Sequence, residues 1–126
     1  MKMQALKWVA LGLCLSAGVA AFAHEGAEKG KDVTMKGEVV DLACYLGHGA
    51  SGAKHKDCAE MCVKGGSPMG LLTSDGKTIL LVEDHGKKDA YESLKGMVAS
   101  QVTVSGDEAN RGGLHAIVVE KAEKAG

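Results

Sequence analysis

The chain has 126 residues and a nearly balanced charge, with 15 lysines and arginines against 16 aspartates and glutamates. That length fits one modest domain, and the charge balance argues against a polyanionic partner. Aromatic residues make up only 3% of the chain, whereas binding of single-stranded nucleic acid usually depends on stacking rings in a basic groove. We therefore expect no nucleic-acid partner.

Residues 1–23 have the features of a secretory signal peptide. Two lysines precede an apolar stretch at residues 8–15, and small residues occupy the positions that a signal peptidase recognises before the bond after Ala23. Cleavage after Ala23 would place the protein in the periplasm or outside the cell. Cys14 follows a bulky leucine where a lipoprotein site needs a small residue, so no membrane anchor is predicted.

A series of short strands is predicted after a leader at residues 24–32, which is charged, rich in glycine and expected to be flexible. Residues 33–40 alternate between apolar and polar side chains, and Gly37 in mid-strand indicates a bulge or tight coiling. Four further strands are predicted at residues 69–73, 77–83, 101–106 and 114–120. A short helix is predicted over residues 88–95, and residues 122–126 are expected to form a polar tail.

Five short strands with a helix between the third and the fourth have the connectivity of a small Greek-key barrel, the OB-fold. We therefore predict a mainly β, five-stranded OB-like barrel domain over residues 33–121. A helical segment that carries cysteines and histidines is inserted between strands 1 and 2.

The inserted segment, residues 44–62, holds three of the four cysteines and two of the five histidines. Its first half, residues 47–52, is rich in glycine and predicted to be a loop. Its second half, residues 56–64, is predicted to be a helix that ends at a pair of glycines. The candidate metal ligands in this segment are Cys44, His48, His55, Cys58 and Cys62.

Helical geometry limits which cysteines can pair. Because each helical residue advances by about 100°, His55, Cys58 and Cys62 are expected on one face. The two cysteines would be one turn apart, with Cβ atoms about 5–6 Å from each other, beyond the mean of about 3.8 Å found in disulfides. Cys44, expected at the end of the first strand, is therefore the more favourable disulfide partner for either.

Three hypotheses for the cysteines stay open. In the first, Cys44 pairs with Cys58 or Cys62 and staples an interaction domain that binds a periplasmic protein, while the odd cysteine could join two molecules in a homodimer. In the second, the three cysteines with His48 or His55 form a tetrahedral site for copper or zinc. In the third, a thiol activated by a neighbouring base or cation makes the chain a redox protein.

The strings VVDLACYLGHG and HKDCAEMC resemble a motif found in a group of uncharacterised periplasmic proteins of this size, which are small exported bacterial domains with an OB-like fold. The resemblance implies the fold and the export but no function. The chain has no CxxCH haem motif, no nucleotide-binding glycine motif and no evident pair of general acid and base. We therefore predict a binding or carrier module for copper or zinc and not an enzyme.

Overall fold

The computed structural model describes residues 30–126. The predicted signal peptide and most of the predicted leader lie outside these residues. In chain order the elements are β1 (Asp32–Asp41), α1 (Leu42–His48), a 3₁₀ turn (Ala53–His55), α2 (Lys56–Lys64), β2 (Met69–Leu72), β3 (Thr78–Glu83), α3 (Lys88–Leu94), β4 (Gln101–Arg111) and β5 (Leu114–Lys124).

The five strands close into a barrel. Their order around it is β1, β2, β3, β5 and β4, and β4 pairs again with β1. Strands β3 and β5 are parallel, and the other neighbouring pairs are antiparallel. Since α3 lies between β3 and β4 in the chain, and α1 and α2 lie between β1 and β2, the predicted five-stranded barrel with its helical insertion is confirmed.

Alternating apolar side chains of all five strands fill the barrel, and burying each of the larger ones is favourable by about 1.5–3 kcal/mol. Helix α2 adds Ala59 and Val63 to the same core, and α3 adds Leu94. The inserted helix is therefore packed on the barrel. The buried strand residues of this core are Val39, Met69, Leu71, Ile79, Leu81, Val102, Val104, Ile117 and Val119.

Two glycines allow neighbouring strands to approach each other closely. A Cβ atom at Gly37 would lie 2.5 Å from the carbonyl oxygen of Leu72, and one at Gly106 would lie 2.0 Å from that of Val118. At Glu38, the residue after Gly37, β1 passes from pairing with β4 to pairing with β2. The irregularity in strand pairing lies elsewhere, between Ser105 and Gly106 of β4.

Two expectations about element bounds are wrong. Cys44 is predicted at the end of the first strand and residues 47–52 as a loop, but residues 42–48 form helix α1. The last two strands are longer than expected, and the expected polar tail belongs to β5 as far as Lys124. The reason is backbone pairing: the end of β5 supplies partners for the start of β4, as in the pair Val102 and Lys124, and an unpaired strand would leave polar groups unsatisfied.

None of the helices within residues 30–126 is both long enough and apolar enough to cross a membrane.

Candidate metal site

Helix α1 positions Cys44 close to the barrel. The helix begins after Asp41, whose side chain is 1% exposed and accepts hydrogen bonds from the backbone N–H groups of Ala43 (3.1 Å) and Cys44 (3.3 Å). It ends at Gly49, whose φ of 68° favours glycine. Leu42 is the buried residue of this helix. The capped first turn, which contains Cys44, is therefore fixed to the end of β1.

Helix α2 carries the other two cysteines. Ala59 and Val63 are its buried residues, and Cys58 and Cys62 each precede one of them. Cys58 is exposed and Cys62 is half-buried, so the cysteines lie one turn apart along the border of the packed face. The helix predicted over residues 56–64 is confirmed by these bounds.

The two helices bring the three cysteines together. The sulfur atoms of Cys44, Cys58 and Cys62 all lie within 4.8 Å of one another. Because a thiolate lies about 2.3 Å from a bound zinc ion, two sulfurs on one ion are separated by no more than about 4.6 Å. The three sulfur atoms therefore need only a small further approach to share one metal ion. No disulfide links them, and all three are free thiols in the described part of the chain.

The buried carboxylate of Asp41 connects the two helices. Besides capping α1, it accepts a hydrogen bond from the hydroxyl of Ser67, which follows α2. The backbone N–H of Ser67 in turn donates to the carbonyl oxygen of Cys62 (3.0 Å). One carboxylate thus holds the first turn of α1, with Cys44, against the end of α2, with Cys62.

The same carboxylate affects the pKa of Cys44 most strongly. Burial by itself raises the pKa of Asp41, but hydrogen bonds from the Cys44 thiol, the Ser67 hydroxyl and two backbone N–H groups lower it overall. The hydrogen bond to Asp41, followed by burial, raises the pKa of Cys44 to about 12. Burial, followed by the neighbouring Cys58 and Asp41, raises the pKa of Cys62 despite a hydrogen bond from Cys44. A metal ion would therefore have to displace protons from this site.

A pocket of about 270 Å³ adjoins the cluster. Cys44 and Cys58 form part of its wall, together with His48 and His55. His48 ends α1 one turn beyond Cys44, and His55 precedes α2 by one residue. The full lining is Asp41, Cys44, His48, Ala50, His55, Cys58 and Ala59. Two of the predicted ligand residues, His48 and His55, therefore share a pocket wall with two of the clustered cysteines.

The structure thus brings three of the five predicted ligands into one group. The nitrogen atoms of His48 and His55 do not belong to that group, but both residues line the adjoining pocket. A disulfide between Cys44 and Cys58 or Cys62, one of the three hypotheses, is not formed among the described cysteines. Cys44 lies within α1 and not at the end of β1.

Asp41 is the site residue that the sequence interpretation missed. A signal for it was present, since an aspartate after a buried strand and a glycine eight positions later are typical of the start and the end of a short helix. That pattern would have predicted α1, and with it the cap beside Cys44.

Comparisons of the chain with protein-family models, with curated proteins and with solved structures found no match.

Proposed function

We propose that this chain is an exported binding or carrier module that holds one transition metal ion, copper or zinc, through Cys44, Cys58 and Cys62. The observation that carries the proposal is the mutual approach of the three sulfur atoms to within 4.8 Å. Thiolate ligands favour Cu(I) and Zn(II) among the biological metals. The features of residues 1–23 support export.

The fourth coordination position separates the two metals. Zinc in structural sites takes four protein ligands, and Cys₃His is one of the common sets. His48 and His55 line the pocket beside Cys44 and Cys58, so either imidazole could complete a zinc site after a side-chain movement that brings its nitrogen into the group of sulfur atoms. Copper(I) accepts soft sulfur ligands and can remain three-coordinate, so it needs neither histidine.

The surroundings of the cluster favour binding over catalysis. Among the described residues, Asp41 is the one carboxylate in the pocket wall, and it is occupied by hydrogen bonds from two backbone N–H groups, a hydroxyl and a thiol. It is therefore poorly placed to act as a general base. Cys58 is exposed, so a partner could reach an ion on this side, as a carrier requires.

Metal titration tests the proposal. In a Cys14→Ser background, which leaves only the three cysteines of the cluster, the reduced metal-free protein should take up one equivalent of Cu(I) or Zn(II) in competition with a chromophoric chelator. Cys62→Ser should weaken that uptake by about tenfold or more, equivalent to about 1.4 kcal/mol. His48→Ala and His55→Ala should affect zinc more than copper, with His85→Ala, outside the pocket wall, as the matched control.

Failure to take up either metal would overturn the proposal, as would equal binding by wild type and Cys62→Ser. A count of free thiols separates it from the disulfide hypothesis. Protein purified from an oxidising compartment and alkylated should show three modifiable thiols in the cluster after chelation of metal. A single modifiable thiol would instead indicate a disulfide staple.

A further inference from the structure

The cysteine cluster offers three sulfur ligands and, among the described residues, no fourth group joins them. We propose that Cys44, Cys58 and Cys62 also bind trivalent arsenic, taken up as the uncharged oxyacid As(OH)₃. The inference rests on the same three sulfur atoms as the proposed metal site but does not require that copper or zinc be the ligand. Arsenic(III) forms three bonds and keeps a lone pair, so three sulfurs satisfy it without a histidine.

Charge distinguishes arsenic from the metals at this site. Three thiolates around Cu(I) carry two negative charges and around Zn(II) one, whereas As(SR)₃ is neutral, like the three thiols that it replaces. This matters because the carboxylate of Asp41, 1% exposed, lies beside Cys44. Added negative charge next to a buried carboxylate costs free energy. A ligand that leaves the charge of the cluster unchanged avoids this cost.

Asp41 also keeps most of its hydrogen bonds when arsenic binds to the three sulfur atoms. The thiol hydrogen of Cys44 leaves, but the backbone N–H groups of Ala43 and Cys44 and the hydroxyl of Ser67 still donate to the carboxylate. The buried charge therefore keeps most of its partners. The first turn of α1, which carries the reacting Cys44, stays capped.

The reaction is a condensation and needs no oxidant. Each thiol sulfur forms a bond to arsenic as one arsenic–oxygen bond breaks, and the thiol hydrogen leaves with the hydroxyl as water. Three thiols and one As(OH)₃ therefore give one As(SR)₃ and three water molecules, and arsenic remains in the trivalent state. The sulfur atoms, within 4.8 Å of one another, can share one arsenic atom after a small adjustment.

The pocket gives the oxyacid a route to the thiols. As(OH)₃ has four heavy atoms, and the cavity of about 270 Å³ opens on Cys44 and Cys58. Cys58 is exposed, so it can react first and deliver arsenic to the two half-buried sulfurs. His48 and His55 line this route but supply no bond to arsenic.

The test compares sodium arsenite with phenylarsine oxide, which needs only two thiols, on the reduced full chain carrying Cys14→Ser. Intact mass should show one arsenic atom added and three hydrogens lost, and alkylation should find no thiol free in the cluster. Cys58→Ser should bind arsenite more weakly by about tenfold or more while still binding phenylarsine oxide. His85→Ala, which lies outside the pocket wall, should bind arsenite as before. Circular dichroism verifies that each variant is folded.

Arsenite that leaves one cluster thiol open to alkylation, or that binds Cys58→Ser as tightly as the parent, would overturn the inference. Different results would refute the arsenic site and the proposed copper or zinc site. Uptake of copper or zinc without uptake of arsenite refutes the arsenic site and leaves the metal proposal standing. Uptake of arsenite by all three thiols without either metal supports the arsenic site and refutes the metal proposal.

Discussion

Replacement of Asp41 by alanine should destabilise the domain and loosen the cysteine cluster. The substitution removes the cap of α1, which costs about 0.5–2 kcal/mol. It also leaves the half-buried hydroxyl of Ser67 without its acceptor, which costs about 1 kcal/mol or more. The substitution also removes the free-energy cost of burying the carboxylate, and this effect stabilises the folded state. We expect a net loss of about 2 kcal/mol, a substantial part of the roughly 5–15 kcal/mol typical of a domain.

Urea denaturation followed by far-UV circular dichroism measures this loss. With a dependence of about 1–3 kcal/mol per molar urea, the midpoint for Asp41→Ala should fall by about 1 M. Asp41→Asn is the matched control, because asparagine is an equally good helix cap and its carbonyl still accepts hydrogen bonds. We expect the Asn variant to lose less than half as much stability. Equal midpoints for both variants and wild type would refute the role assigned to Asp41.

Three further predictions concern the thiols and the barrel. Alkylation near pH 8, below the ordinary thiol pKa of 9.0, should be slowest at Cys44, whose pKa is raised to about 12. Asp41→Asn should speed the reaction of Cys44, and equal rates at Cys44 and Cys58 in peptide mass spectra would contradict this prediction. The raised folded-state pKa of Cys44 is a stabilising contribution that is present below the ordinary value of 9.0 and lost as pH rises towards about 12. The urea midpoint of the metal-free protein should therefore fall over that pH range, and it should fall less steeply in Cys44→Ser. A midpoint that does not change with pH, or an equal slope in that variant, would argue against this prediction. Gly106→Ala would place a Cβ atom 2.0 Å from a backbone oxygen of β5 and should destabilise the barrel by more than about 2 kcal/mol. Gly47→Ala in α1, where a Cβ atom meets open space, should instead stabilise the domain by about 0.5–1 kcal/mol. Thermal melts of both variants measure this contrast.

The barrel could be predicted from the sequence because its strands have recognisable local patterns of apolar and polar residues. Strand β1 alternates between apolar and polar residues, and one side of it is buried where Gly37 and Val39 enter the core. The extension of β5 to Lys124 could not be predicted in this way. Its last residues are mostly charged, and they are ordered by pairing with Val102 and its neighbours in β4, an interaction between distant parts of the chain.

The candidate site was predictable in its sulfur ligands but not in its geometry. Helix α1 has seven residues and only Leu42 is buried, so no apolar period distinguishes it from a loop. The partnership of Asp41 with Ser67 spans 26 positions, and no local pattern encodes it. The spacing of Cys58 and Cys62 correctly predicted that they lie one turn apart on α2. The position of Cys44 could not be predicted, because it depends on helix α1, which the sequence analysis did not predict.

The cluster owes its geometry to few interactions, and this bears on how tightly it could hold an ion. Helices α1 and α2 bury Leu42, Ala59 and Val63, a small apolar area for a segment that must keep three sulfur atoms together. An ion bound by Cys44 and by α2 would close the intervening loop, and a disulfide across a loop of about 15 residues contributes about 3 kcal/mol by restricting the unfolded chain. The hydrogen bonds of Asp41 already impose part of that restriction before any ligand arrives. Ion binding therefore has to spend less free energy on ordering the two helices than it would without this carboxylate. For this reason we expect Asp41, although it is not one of the sulfur ligands, to affect the affinity for an ion as well as the stability of the fold.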